Sequence, residues 1–290
     1  MIKKIIPIVL SFMVIFTGCA NDTNENNDNK VSIKLTYSNL LDDETQTEIK
    51  KVLIDKGINK STSEYFIKLI NNYNEISDMK NLYTSNKGFT SINVQQVPYD
   101  EAHLAEKWDY NNINYIDFNC RLTSFILFKD YIKSDSLFKG DDINLIFDID
   151  VIENNPMSKL TNEDKNKFIN LNAQIDTTNT EDTKIHIKNI QNEWKNRKIS
   201  FIDNSSISMI NVFLHSPEDK ILFIGHSGIL VEVKDGFLFI EKYGISLPYQ
   251  VSKFKNKSQL KEYLMDRLDV NAPSYKAAKP IIMENDKVMN

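Results

Sequence analysis

Apolar residues recur along this chain in a rhythm that changes from segment to segment. Ile5 to Phe16 is a continuous apolar run behind Lys3 and Lys4, closed by the small pair Thr17 and Gly18. It is about twelve residues long, against the roughly twenty that a bilayer-spanning helix needs. A basic start, a short apolar stretch and a small-residue end are the layout of a cleavable export signal over residues 1–18. Residues 20–31 are almost wholly polar and cannot bury a core, which predicts a disordered tether within residues 19–33. From Asp42 the apolar positions take helical spacing. The pattern predicts a helix over Asp42–Ile54 that ends at Gly57, and a second one opened by a Ser61-x-x-Glu64 capping box and running to about Asn74. Further helices are predicted over Asp100–Trp108 and over Cys120–Ile132, the latter carrying Leu122, Phe125, Ile126 and Phe128.

The middle of the chain predicts one strand, Ile143–Val151, and two helices, Asn162–Asn172 and Thr183–Trp194. After it the period shortens. Ile207–Leu214, Ile221–Ile224, Ile229–Val233 and Phe237–Ile240 are strand-length apolar runs, and Asp235-Gly236 between the last two is a two-residue hairpin signal. A helix over Lys257–Leu268 precedes a tail expected to pack through Ile281, Ile282 and Met283. The expected architecture is α+β: a helical N-terminal half followed by an antiparallel β-sheet, forming one domain over residues 34–290.

Composition narrows the picture. A content of 41 % hydrophobic and 10 % aromatic residues is enough to bury a core. The formal charge of −5 becomes more negative once Lys3 and Lys4 are removed with the signal, so nucleic acid is not an expected partner. Phe16-Thr17-Gly18-Cys19 resembles the bacterial lipobox, which implies lipidation of Cys19. Two acyl chains on one thiol would hold the protein stably on the outer face of the cell membrane, where a single chain binds marginally. With Cys19 acylated, Cys120 is the one remaining thiol and no intramolecular disulfide can form.

Cys120 follows Asn119, a favoured N-cap residue, and opens an apolar-periodic helix. Its sulfur is therefore expected at a helix N-terminus, where the dipole and free backbone N–H groups favour a thiolate, and Arg121 beside it adds to that effect. Such a thiolate is a nucleophile with an oxyanion site close by, formed by the backbone N–H of Cys120 with support from Asn119. In Gly225-His226-Ser227-Gly228 an imidazole flanked by small residues interrupts two apolar runs, a setting that suits a general base. Glu241 is the first charge after Phe237–Ile240 and is the candidate orienting group. With Asp235-Gly236 as the turn, Glu241 would face Leu230, four residues beyond His226 and roughly 13 Å away at strand rise. A bulge at His226-Ser227-Gly228 or a longer turn would have to close that gap. Tyr243, which would lie opposite Gly228 in the same register, is the alternative orienting group.

The remaining polar features point to less. His103 and His186 read as helix-surface residues, and His215 as the end of a strand. No pair of histidines has metal-ligand spacing, and no metal or cofactor is expected. Asp148, Asp150 and Glu153 alternate as the solvated face of a strand would, without the glycine and terminal Glu of a calcium loop.

A cysteine at a helix start, then a histidine on a central strand, then a polar residue on the next strand resembles the order in papain-like and NlpC/P60-type thiol hydrolases. His226-Ser227-Gly228-Ile229 is similar to the corresponding NlpC/P60 strand. The resemblance implies a papain-like core in which Cys120 attacks an amide, His226 is the base and Glu241 orients it. Glu at the third position departs from that pattern. A likeness over most of the chain is carried by Phe118-Asn119-Cys120-Arg121, by Gly225-His226-Ser227-Gly228 through the run from Asp235 to Lys242, by Pro248-Tyr249-Gln250, and by Ile282-Met283-Glu284-Asn285-Asp286. These runs resemble a bacterial lipoprotein family known as domain of unknown function 4300, which implies that the segments holding Cys120 and His226 form one unit.

Two functional expectations follow. One is a surface-anchored thiol hydrolase or acyltransferase acting on amide bonds of cell-wall peptides or surface proteins. The other is a lipoprotein that binds a ligand or protein without catalysis, with Cys120 as a packing residue. An accessible, ionised thiol separates the first from the second.

Overall fold

The computed structural model describes residues 34–82, 87–135, 143–269 and 276–289, so the export signal, Cys19 and the tether lie outside the described residues. Its helices are α1 (Asp43–Asp55), α2 (Lys60–Ile76), α3 (Met79–Leu82), α4 (Glu101–Tyr110), α5 (Cys120–Phe128), α6 (Ile146–Asn154), α7 (Asn162–Asn172), α8 (Thr183–Asn196) and α9 (Lys257–Leu268). The early strands are β1 (Leu35–Ser38), β2 (Thr90–Ile92), β3 (Ile132–Ser134), β4 (Ile175–Asp176) and β5 (Ile199–Phe201). The later ones are β6 (Ile207–Ser216), β7 (Ile221–Val233), β8 (Gly236–Lys242), β9 (Tyr249–Phe254), β10 (Ile281–Glu284) and β11 (Lys287–Val288). The fold is α+β, with helices in the N-terminal half followed by a large antiparallel sheet.

That sheet runs β11-β10-β6-β7-β8-β9-β1-β2, with β4 beside the start of β7, while β3 and β5 form a small separate pair. Residue alternation divides its two faces. Ile229, Val231, Leu238, Ile240 and Val251 pack on one side against α1, α2, α5, α7 and α8, and Leu230, Phe239 and Phe254 pack on the other against Leu260, Tyr263 and Leu264 of α9. Burial on both faces explains why β7 reads as a near-continuous apolar run rather than as an alternating one. Each large apolar side chain removed from water contributes about 1.5–3 kcal/mol.

Several local expectations are corrected. Ile143–Val151 is not a strand: a 3₁₀ turn over Ile143–Leu145 leads into α6. Leu145, Asp148, Val151 and Ile152 face inward at helical spacing, so packing overrides the strand preference of the β-branched residues. Asp148, expected on a solvated face, is fully buried. Asn59, rather than Ser61, caps α2, because the helix starts earlier than the Ser61/Glu64 signal suggests. α5 stops at Phe128 in a 3₁₀ turn, and Ile132 belongs to β3. His186 is buried beneath α8 with its ring 4.4 Å from that of His215. The tail does more than pack, since Ile281–Glu284 pairs with β6.

The hairpin between β7 and β8 decides the geometry of the site. Val233 pairs with Gly236, so the turn residues are Lys234 and Asp235 rather than Asp235 and Gly236. Gly236 opens β8 at a φ of 132°, a conformation open at little cost only to glycine. The register is thereby shifted two places from the expected one. No helix among the described residues is long and apolar enough to cross a membrane.

Candidate active site

Cys120 is the first residue of α5. Asn119 caps the helix, its side-chain oxygen accepting from the Leu122 N–H at 2.9 Å, while its amide nitrogen donates to Asp148 Oδ1 at 2.7 Å. Both ends of its amide thus help to hold the helix start. The N–H groups of Cys120 and Arg121 fall in the first turn, where a helix offers no internal acceptor. Arg121 reaches from α5 to Asp148 through Nε at 3.1 Å and to the Ile224 carbonyl at 3.2 Å, which ties the helix start to β7 just ahead of His226.

β7 pairs with β6 along its length, and a bulge at Gly225 separates the Val212–His226 pair from the Phe213–Ile224 pair. The expected bulge thus exists one position before His226 rather than at it. A Cβ on Gly225 would run into Leu214, and one on Gly228 into the ring of Phe239, so both glycines are required by close neighbours. With β8 the ladder runs only from Val233–Gly236 to Ile229–Ile240. Beyond that point the strands part, β7 staying with β6 and β8 with β9. His226 and Glu241 lie on the two arms of this fork, and α5 packs across both strands.

Continuing the register sets Glu241 level with Gly228, two residues from His226, a diagonal spacing that long side chains can bridge. His226 Nε2 hydrogen-bonds Glu241 Oε2 at 2.6 Å, with both side chains buried. Nδ1 is then the ring nitrogen left free of Glu241, and the imidazole and the Cys120 thiol shift each other's titration. Burial alone would push the Cys120 thiol up. The charge and hydrogen bond of His226, the charge of Arg121 and the Ser227 backbone N–H outweigh it and hold the thiol below its ordinary value. Burial and the charge of Arg267 depress His226, yet the Cys120 anion and the Glu241 carboxylate prevail and raise it. The pair is therefore biased toward thiolate and imidazolium.

Glu241 is itself surrounded. Arg267 of α9 donates to Oε2 at 2.7 Å and the Tyr263 hydroxyl to Oε1 at 2.7 Å. Burial would raise Glu241, but the charge of Arg267 followed by His226 and Tyr263 brings it down to about 2. Gln250 of β9 donates to the Tyr263 hydroxyl at 3.2 Å and accepts from Tyr99 at 2.7 Å. Tyr243 does not take the orienting role: its ring lies under the Arg267 guanidinium at 3.4 Å, and its carbonyl accepts from the same group. Arg267, Tyr263 and Asp148 escape sequence reasoning because each is an ordinary helix residue whose function arises from a partner far away in the chain. Gln250 lies within the Pro248-Tyr249-Gln250 run of the family likeness, which is the one signal that points to it.

A family model described as domain of unknown function (DUF4300) matches residues 36–289. No curated protein matches the chain. No solved structure matches it either.

Proposed function

The chain belongs to the DUF4300 family, whose description assigns no activity, and on that premise we propose that it is a thiol hydrolase or acyltransferase acting on amide bonds. The single observation that carries this reading is the Cys120–His226–Glu241 arrangement, in which a thiol at the start of a helix accompanies an imidazole bonded to a carboxylate at 2.6 Å. The Cys120 thiolate attacks the carbonyl carbon, and the backbone N–H of Cys120 stabilises the oxyanion. His226 then gives its Nδ1 proton to the leaving amine, and water or an acceptor amine resolves the thioester. Glu241 fixes the ring through Nε2, as the third member of a triad does. A carboxylate in this position would over-stabilise the imidazolium, and the Arg267 cation on the same oxygen offsets that charge.

A lipid on Cys19 would place the reaction at the outer face of the cell membrane. A tether over residues 19–33 would hold the body on the order of 20 Å from the lipid, within reach of cell-wall peptides and surface proteins. The second reading, a binding lipoprotein, draws on one observation: Cys120 is only 8 % exposed. Iodoacetamide alkylation of the folded chain from about pH 5 to about pH 9 decides between them. Labelling at neutral pH that is lost in His226→Ala supports the hydrolase. Labelling only after denaturation ends it and leaves the binding protein.

A further inference from the structure

Lys242 and Asp117 form a buried charge pair outside the proposed chemistry. Lys242 follows Glu241 but points to the opposite face of β8, where its side chain is 0 % exposed and its Nζ stands 3.4 Å from the Tyr73 ring centroid and 4.7 Å from that of Tyr249. Asp117, three residues before Cys120, is its ion-pair partner, with Nζ and Oδ2 2.6 Å apart and the Asp117 side chain 7 % exposed. Beyond each other, neither atom finds a hydrogen-bond partner. The amine and the carboxyl are thus pressed against each other in a buried ion pair. Desolvation makes such a pair expensive unless further hydrogen bonds satisfy it.

We propose that Lys242 Nζ and Asp117 Cγ are joined by an isopeptide bond. The ammonium passes a proton to the carboxylate and the free amine attacks Cγ. The C–N bond forms, one carboxyl C–O bond breaks, and that oxygen leaves with two protons as water. Atoms and charge balance with no further reactant. Burial depresses Lys242, to about 8 even against the opposing charge of Asp117, and raises Asp117, so the neutral amine and neutral acid are both within reach. Two groups held in contact react at effective concentrations on the order of 10⁵ M or above, and the ring of Tyr73 over the amine keeps out the water that would reverse the step. The product removes both buried charges.

The bond would staple the loop leading into α5 to the strand bearing Glu241, and so fix the fork in which Cys120 faces His226. With Cys120 the only cysteine among the described residues, no disulfide there can do this. The inference is independent of the hydrolase reading, because the bond can exist whether or not Cys120 is catalytic.

Mass spectrometry of a tryptic digest of the unfolded full chain tests it without any variant. The expected result is a branched peptide joining the segments that hold Asp117 and Lys242, lighter by one water than the sum of the two, with no cleavage after Lys242. Two linear peptides with cleavage after Lys242 would overturn the proposal. In Asp117→Ala the branch should vanish and cleavage after Lys242 should appear; a branch that persists there would assign the link to another residue and also overturn it.

Discussion

His226 Nε2 and Glu241 Oε2 lie 2.6 Å apart across a separation of 15 residues, at the place where the two strands that carry them have stopped pairing with each other. The fork ends the pairing of β7 with β8 while His226 stays paired with β6 and Glu241 with β9, and α5 packs across both strands. The Cys120 thiol, the His226 imidazole and the Glu241 carboxylate, carried by three elements, thereby come to interact.

The reactivity of Cys120 should depend on His226. Cys120 is held below its ordinary value and His226 above its own, so alkylation is expected to persist below the pH at which an isolated thiol loses it. In His226→Ala the thiol pKa should rise, and the labelling rate at neutral pH should fall about tenfold for each unit of rise. Iodoacetamide labelling followed by mass spectrometry reads this directly.

Glu241 and Arg267 should behave as a unit. Glu241→Gln leaves the Arg267 cation buried without its carboxylate, and the expected loss is about 3–5 kcal/mol in urea unfolding. Arg267→Met strands the carboxylate instead and should raise His226 further, since the Arg267 charge normally opposes its protonation. The double variant Glu241→Gln/Arg267→Met exchanges a charged pair for a neutral amide and an apolar stem. It is expected to recover most of the stability and a labelling profile closer to that of the parent chain.

Glu241 also sets a pH dependence of folding. Its folded-state value of about 2 lies below the ordinary 4.5, so the unfolded chain binds the proton more readily between these values. The stabilisation is complete above about 4.5 and is lost as the pH falls toward about 2. Equilibrium unfolding across that acid window should show the decline, and Glu241→Gln should flatten this group's share of it.

Asp148 should matter to the site through its two neighbours in space, Asn119 and Arg121, both of which it holds. Burial raises its pKa despite the charge of Arg121. Asp148→Ala leaves the guanidinium without its partner and releases the cap amide, an expected cost of about 3 kcal/mol or more. Far-UV melting gives the stability loss, and slower alkylation of Cys120 would separate a displaced helix start from a simple loss of stability.

Cys19→Ser is expected to abolish incorporation of labelled palmitate and to shift the protein from the membrane fraction to the medium. Unchanged fractionation would refute the lipid anchor and leave the chemistry of Cys120 untouched.

Local periodicity, caps and residue type are enough to specify the α+β class, most helix positions and the candidates Cys120, His226 and Glu241. The N-cap at Asn119 is such a local event, since a short polar side chain ahead of an apolar-periodic run marks a helix start wherever it occurs. Strand register is a different kind of quantity. Composition could not settle whether the turn was Lys234-Asp235 or Asp235-Gly236, and those two places of register decide whether Glu241 stands out of reach of His226 or within it. The segment around Asp148 misleads for a related reason, since alternating apolar and acidic residues satisfy either period until packing selects a face. Arg267, Tyr263 and the contact between Lys242 and Asp117 belong wholly to tertiary structure. Their roles come from burial beside a charge distant in the chain, and no local pattern encodes which partner a buried charge will meet.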